Sequence, residues 1–283
     1  DDETIITQGA LSQYARVSQQ EDADDDEDEE EEEYDEEELC CGTKNADAPL
    51  DVTTVLRQKV VVLATVNFGI IVGATILTDE TLPLFLKLGV DDGGFSFDSA
   101  QIGTLLSLGA FCVLVTLVLC MSIIDGWSQK KLLIYSTFCC IPLALIWPLL
   151  AIINEDVLLH LHNSTVHAWL LWIMLILVTT LKNFANCLTV SSGSVLVNHC
   201  AIDEFLGAVN GLGQSMSALG RALTPALGGI LWSVSTSNHL PFLNFVAIAF
   251  LHAMAIVLAR MLPASIDHKK KEKSSSKSDR IGA

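Results

Sequence analysis

Six apolar stretches, each long enough to cross a bilayer, limit the folds open to this chain of 283 residues. Because a helix rises ~1.5 Å per residue, about 20 apolar residues span the hydrocarbon core. A helix makes all its backbone hydrogen bonds internally, as lipid requires. The sequence therefore predicts an all-α membrane protein with six transmembrane helices. The stretches are about Val60 to Leu86, Ser99 to Ile124, Leu132 to Ile153, Ala168 to Val197, Gly207 to Ser233 and Leu240 to Leu262.

Charged residues concentrate outside these stretches. The formal net charge is −18, and sixteen of the eighteen residues from Glu21 to Glu38 are acidic. Residues 1–57 lack apolar periodicity, so we expect a disordered cytosolic segment that acts as a solvated linker or binds basic partners. We expect one six-helix domain over residues 58–263 and a basic, disordered tail over 264–283. The chain opens without Met or a signal peptide, so we expect a fragment of a longer protein.

Lysine and arginine indicate the orientation. With six spans, both termini share one side, and the positive-inside rule predicts that this side is cytosolic. Asn163, in an Asn-Ser-Thr sequon, would then lie outside the cell or in a lumen, where it can be glycosylated. The predicted cytosolic side carries Arg57, Lys59, Lys130, Lys131, Lys269, Lys270, Lys271, Lys273, Lys277 and Arg280, against Lys87 alone on the other.

The fifth stretch carries polar residues at helical spacing. Asn210, Gln214, Ser217 and Arg221 are separated by four, three and four residues and therefore share one helix face. An arginine at the centre of such a helix costs at least ~2.5 kcal/mol, so this face needs protein or water. We expect a mobile, cavity-lining helix; the alternative is a tightly packed structural helix with a snorkelling arginine. Its small or helix-bending residues include Gly211, Gly220, Pro225, Gly228 and Gly229.

The fourth stretch has a similar face. Thr179, Lys182, Asn186 and Thr189 follow one another at intervals of three, four and three residues. We predict that Lys182 and Asn186 line a substrate cavity together with Asn210, Gln214 and Arg221.

The end of the first stretch contains Asp79, Glu80 and Pro83. One interpretation is a kinked helix tip that opens on a cavity, where either acid carries a proton. The other is that the helix ends at Leu77 and both acids lie in the headgroup region.

Enzyme chemistry is not indicated. The sequence contains no P-loop and no nucleophile elbow. His160, His162 and His167 make a poor metal site, because two of them lie in an irregular loop with few acidic neighbours. We expect no catalytic residue, no cofactor, no structural metal and no nucleic-acid partner.

Gly211, Gly220, Pro225 and the pair Gly228-Gly229 resemble the antiporter signature of the major facilitator superfamily, G-x8-G-x3-G-P-x2-G-G. Thr224 stands where that signature has glycine. The resemblance implies that the fifth stretch is the eleventh helix of a twelve-helix transporter, and that this chain is its carboxy-terminal half.

The loop from Asp125 to Lys131 resembles a degenerate form of the superfamily's loop motif, G-x3-D-R-x-G-R-K. The first glycine and the arginine after the aspartate are absent. The resemblance implies a conformational role for Asp125, Gly126, Lys130 and Lys131.

Three short sequence segments resemble the zinc-induced facilitator-like branch of that superfamily: Leu181-Lys182-Asn183, Gly207 to Gly211, and Gly93 to Phe97. The branch implies proton-coupled antiport of small organic anions, metal chelates or xenobiotics across a vacuolar or plasma membrane. It also implies that residues 1–57 connect this body to a missing amino-terminal six-helix half.

We therefore expect alternating access in a lipid bilayer, with protons and a small molecule as ligands. Lys182 and Arg221 would attract anions, and Asp79 or Glu80 would carry the proton or form an ion pair. Two alternatives stay open. The two cations could instead lock helices to acids in the missing half, or the protein could be a non-transporting scaffold or receptor-like module whose acidic segment recruits partners.

Overall fold

Six long helices follow one another along the part of the chain that this computed structural model describes. That part comprises residues 58–124, 127–153, 164–201, 205–263 and 266, all within one compact unit. None of these residues forms a strand, and a short 3₁₀ turn, Val90–Asp92, precedes the second helix. The helices are α1 (Lys59–Lys87), α2 (Ser99–Ile124), α3 (Gln129–Ile153), α4 (Ser164–His199), α5 (Leu206–Ser237) and α6 (Leu243–Met261).

Each predicted apolar stretch coincides with one helix. The largest difference in a boundary is four residues, at the start of α4 and at the end of α5. Five helices of the described chain are long and apolar enough to cross a membrane, and α5 is not among them. Glycines and the polar residues Asn210, Gln214 and Arg221 lower its hydropathy. The all-helical class is confirmed, whereas the sixth span remains a prediction.

Helix α1 settles one of the open alternatives. It continues without interruption through Asp79, Glu80 and Pro83 to Lys87. The interpretation that the helix ends at Leu77 is therefore wrong. Asp79 and Glu80 therefore lie within α1, directly after turns of the helix that are mostly buried.

Four helices form a ring, and two pack against its outside. Helices α1, α6, α3 and α4 each contact the next around the ring, whereas α5 packs mainly on α1 and α2 mainly on α4. Helix α1 is covered by α4, α5 and α6. As a result, 61% of the residues in its most apolar segment are buried, against 11% in the corresponding segment of α2. Helix α1 is therefore the central element of the bundle, and α2 lies at its edge.

A layer of buried polar residues divides the apolar core in two. One apolar cluster, which includes Phe68, Leu133 and Leu196, lies toward the end where α1 begins. The other, which includes Phe85 and Trp147, lies toward the opposite end. The residues that we call the polar layer fall between them in sequence: Ser136, Thr137 and Cys140 on α3, Thr179, Lys182, Asn186 and Thr189 on α4, and His252 on α6.

The segment between α1 and α2 folds back over the end of α1. The Phe97 N–H donates to the Leu86 carbonyl over 2.9 Å, and the Phe97 ring stacks on Trp172 of α4 with 5.7 Å between ring centroids. A Cβ on Gly94 would lie 2.3 Å from the Leu88 carbonyl oxygen, so only glycine fits there. The loop therefore ties the end of α1 to α4.

Glycines bring the backbones of α1 and α5 together. A Cβ on Gly220 would lie 2.7 Å from the carbonyl oxygen of Gly69, and one on Gly73 would lie 3.2 Å from the Thr224 hydroxyl oxygen. Thr224, the departure from the antiporter signature, is thus accommodated by a glycine on the facing helix. Close approach of this kind gains van der Waals contact, which drives helix association in membranes.

Replacing Gly220 with Ala should therefore destabilise the bundle. The added methyl group meets backbone rather than a mobile side chain, so α1 and α5 must separate, at a cost of about 1–3 kcal/mol. Thermal unfolding of the purified protein in detergent should show a lower midpoint. Gly229→Ala is the matched control, because nothing lies within 4 Å of a Cβ at that position. Equal midpoints for the two variants would contradict the proposed α1–α5 contact.

Candidate functional site

An ion pair joins α1 to α4 within the polar layer, through its residue Lys182. The Lys182 ammonium donates to Asp79 Oδ1 over 2.7 Å. Lys182 lies near the middle of α4 (Ser164–His199), far from both ends. A charge at that position is costly in a bilayer unless it is paired, which makes the pair a candidate functional site.

The two partners differ in exposure. The Lys182 side chain is 5% exposed, whereas the Asp79 side chain is 52% exposed. A buried ammonium without a counter-charge costs several kcal/mol, and among the described residues only Asp79 supplies that charge to Lys182. Asp79 has an open side that the described helices do not cover. Lys182 therefore depends on Asp79 more than Asp79 depends on Lys182.

Hydrogen bonds continue from the pair along α4 and across to α3. Asn186, one turn after Lys182, is buried, and its Oδ1 accepts from the Cys140 thiol over 3.3 Å. The Thr189 hydroxyl lies 2.9 Å from Ser136 Oγ and 2.8 Å from the Ala185 carbonyl oxygen. The predicted polar face of α4 thus points into the bundle, where α3 bonds to Asn186 and Thr189.

Several buried polar atoms have no hydrogen-bond partner in the described part of the chain. His252 is 1% exposed, and one ring nitrogen, Nδ1, lies 2.9 Å from the Ile248 carbonyl oxygen. A carbonyl oxygen only accepts, so Nδ1 carries the hydrogen and Nε2 is left as an unpaired acceptor. Such atoms are the ones that bind water or a ligand group in a polar interior. The others are Asn67 Oδ1, Trp147 Nε1, Thr179 Oγ1, His199 Nδ1 and Asn244 Oδ1.

Sequence reasoning did not assign Ser136, Cys140 or His252 to the site. Ser136 and Cys140 are four residues apart on α3, but a hydroxyl and a thiol form a weak polar face, and His252 lies alone in an apolar part of α6. Their only sequence signal is a polar or thiol group in a segment of hydrocarbon length, which is itself costly in lipid.

The predicted polar face of α5 lies elsewhere. Ser217 is buried, whereas Asn210, Gln214 and Arg221 are exposed. In the described ranges Arg221 makes no ion pair, and Glu80, which is also exposed, makes none either. The structure therefore brings Asp79 and Lys182 together, but it does not bring Arg221 to them.

The predicted conformational residues fall into two groups. Gly220 and Gly228 pack on α1, with Leu77 Cδ1 2.7 Å from a Cβ built on Gly228, whereas Gly211 and Gly229 have open space around them. Pro225 lies within α5 and is exposed.

In the loop motif, the Lys130 ammonium donates to the carbonyl of Leu262 at the end of α6, and Lys131 is exposed. The remaining predicted residues and segments lie outside the described part of the chain: Asp125, Gly126, Asn163, the acidic segment 1–57 and nearly all of the tail 264–283.

The unequal burial of the pair predicts unequal effects of removing either partner. Asp79→Asn leaves the Lys182 ammonium buried without a counter-charge and should cost about 3 kcal/mol. Lys182→Met leaves a carboxylate that water can reach and should cost less. The double variant should recover most of the loss, because no uncompensated charge remains. Thermal unfolding of the three variants completes this double-mutant cycle. A larger loss of stability in Lys182→Met than in Asp79→Asn would contradict the prediction.

A comparison with protein-family models supports the resemblance noted in the motifs. The model described as "Major Facilitator Superfamily" matches residues 58–281, which is most of the chain and includes all six helices. No solved structure matches the chain. Together with its long apolar helices, the match identifies an integral multi-pass membrane protein and, in general terms, a membrane transporter. The chain belongs to the Major Facilitator Superfamily.

Proposed function

We propose that the protein is a proton-coupled carrier that moves small organic anions, metal chelates or xenobiotics by alternating access, with antiport as its main coupling. The observation that carries the proposal is the Lys182–Asp79 ion pair, buried on the lysine side and open on the aspartate side. A pure scaffold has no need to maintain a buried ammonium near the middle of a membrane helix, because the cost of doing so is large.

Asp79 is the proton carrier in this proposal. Its carboxylate is half exposed, so a proton can reach it without the bundle opening. Protonation removes the negative charge that holds Lys182 and leaves the ammonium without a partner. The proton therefore changes the interaction between α1 and α4, which is what coupling to a conformational change requires. Glu80 lies beside Asp79 in sequence but makes no ion pair within the described ranges, so it is the second choice.

The charge of the substrate decides the direction of coupling. A metal chelate or xenobiotic that presents a cationic group competes with the proton for Asp79, and competition for one site produces antiport. An organic anion instead needs the Lys182 ammonium, which protonation of Asp79 releases, so the proton and the anion would then bind together and move in the same direction. The same pair thus supports exchange of cationic groups and co-transport of anions.

Further polar residues would bind the substrate. Asn186 lies one turn from Lys182, while Asn210, Gln214 and Arg221 lie exposed on α5. A helix face with an arginine and two amides is unfavourable in lipid. We propose that this face meets water, substrate and an amino-terminal six-helix half, with residues 1–57 as the connector.

The zinc-induced facilitator-like branch is our proposed placement within the superfamily. Two of the segments that resemble it coincide with structural features. Lys182 forms the buried pair, and the Leu88 backbone leaves no room for a side chain at Gly94, in the loop that covers the end of α1. We also propose that both termini are cytosolic, in a vacuolar or plasma membrane, because the lysine-rich loops and tail share one side under the positive-inside rule.

Transport in vesicles tests the role of the pair. The full-length protein is reconstituted, and uptake of organic anions, metal chelates and cationic xenobiotics is followed while a pH gradient is imposed and then collapsed. Lys182→Ala should abolish transport. Asp79→Asn should abolish accumulation driven by the gradient. Without a gradient it should retain exchange of organic anions, which bind Lys182, but lose exchange of cationic substrates, which bind Asp79.

Glu80→Gln is the matched control, since it removes a neighbouring exposed carboxylate without touching Lys182. All rates are normalised to the folded protein in the vesicles, so a loss of stability is not mistaken for a loss of coupling. Gradient-driven accumulation by Asp79→Asn equal to that of the unmodified protein would overturn the proposal. Transport of no substrate by any variant would favour the scaffold alternative.

A further inference from the structure

Four cations collect at one end of the bundle, where α1 and α3 begin and α6 ends. Lys59 is the first residue of α1, Lys130 and Lys131 open α3, and Arg260 is in the last turn of α6. Lys59, Lys131 and Arg260 are exposed. These four residues form what we call the basic end.

Packing brings these helix ends together. Val61 of α1, Leu133 of α3 and Leu262 after α6 belong to one buried cluster. The Lys130 ammonium also donates to the Leu262 carbonyl, which ties the start of α3 to the end of α6. The helix ends that carry the exposed cations are therefore neighbours.

The described residues of the basic end contain no carboxylate. The carboxylates in the described ranges, five in number, all lie between Asp79 and Asp98, in the later part of α1 and the loop after it. That region is at the opposite end of the bundle from Lys59, Lys131 and Arg260. An anionic group is the ligand that such a surface attracts.

Aromatic and aliphatic side chains continue this surface along the outside of the bundle. The rings of Trp127 and Tyr135 pack edge to face with 6.3 Å between centroids, and they are 50% and 58% exposed. Trp and Tyr are enriched at the level of lipid headgroups. Below them, Phe138 on α3 and Met261 and Val257 on α6 are more than half exposed, as in a surface that contacts acyl chains.

We infer that the basic end binds the headgroup of an anionic phospholipid. Lys131, Arg260 and Lys59 donate to its phosphate and any further acidic group, the Trp127–Tyr135 pair lies at headgroup level, and the acyl chains run along α3 and α6. Basic surfaces between transmembrane helices are suited to such headgroups. This site lies at a different part of the bundle from the Lys182–Asp79 pair, so it does not depend on the transport proposal.

The chain itself contains a rival ligand, the acidic run from Glu21 to Glu38. That run and free phosphate would both satisfy the positive charge. Neither needs exposed aromatic and aliphatic side chains next to the cations, whereas a lipid uses both parts of the surface. The combination of charge and apolar exposure therefore favours the lipid.

Native mass spectrometry of the purified full chain measures the binding of phosphatidylglycerol, with phosphatidylcholine as the uncharged comparison. Phosphatidylglycerol should bind more tightly, and Lys131→Gln and Arg260→Gln should each weaken it about fivefold. Lys131→Arg should retain binding. Lys87→Gln is the matched control, because it removes an exposed cation from the other end of α1. All variants replace exposed side chains, and their thermal unfolding midpoints are compared to establish that each is folded.

Equal binding of the two lipids, or equal weakening by Lys87→Gln, would overturn the inference. So would displacement of the lipid by excess inorganic phosphate, which would identify the site as one for free phosphate. A variant with the acidic residues of the run changed to Asn and Gln gives the last comparison. Lipid binding that is found only in that variant would assign the basic end to the run, whereas unchanged binding supports the lipid.

Discussion

The ammonium of Lys182, held inside a bundle of membrane helices, is the constraint on which the rest of the structure depends. Its charge is tolerated because Asp79 lies 2.7 Å away on α1. That contact requires α1 and α4 to be neighbours and requires α1 to continue as a helix past Leu77. The neighbouring hydroxyl, thiol and amide groups of α3 and α4 bond to one another, which keeps this part of the interior polar between two apolar clusters.

Helix α1 connects the ion pair to most of the bundle. One face carries Asp79 toward α4, another carries Gly69 and Gly73 against α5, and a third carries Thr81, whose hydroxyl accepts from Asn244 Nδ2 of α6 over 3.3 Å. Because these contacts are close-packed, a change at Asp79 alters the surroundings of α1, which three other helices contact. The pair is therefore placed where a single protonation can affect the packing of several elements.

The sequence predicted the helices well and the site in part. Hydrophobic length located all six helices, and helical spacing identified the polar face of α4 that contains Lys182 and Asn186. The partners of that face were not predictable, because Cys140 and Ser136 lie on a helix whose rotation about its axis follows from packing. The contact of Thr224 was not predictable either: this threonine replaces a glycine of the signature, and it fits because the facing residue on α1 is Gly73.

By itself, the sequence determined the membrane class, the approximate positions of the helices and the separation of acidic from basic regions. These properties follow from hydrophobicity and from local backbone hydrogen bonding, which each segment carries on its own. Only the tertiary structure decided where the two polar faces point. The faces of α4 and α5 have the same helical spacing, yet the first is buried against α1 and α3 while Asn210, Gln214 and Arg221 remain exposed. Close glycine contacts and one ion pair make that distinction, and both join residues far apart in the chain.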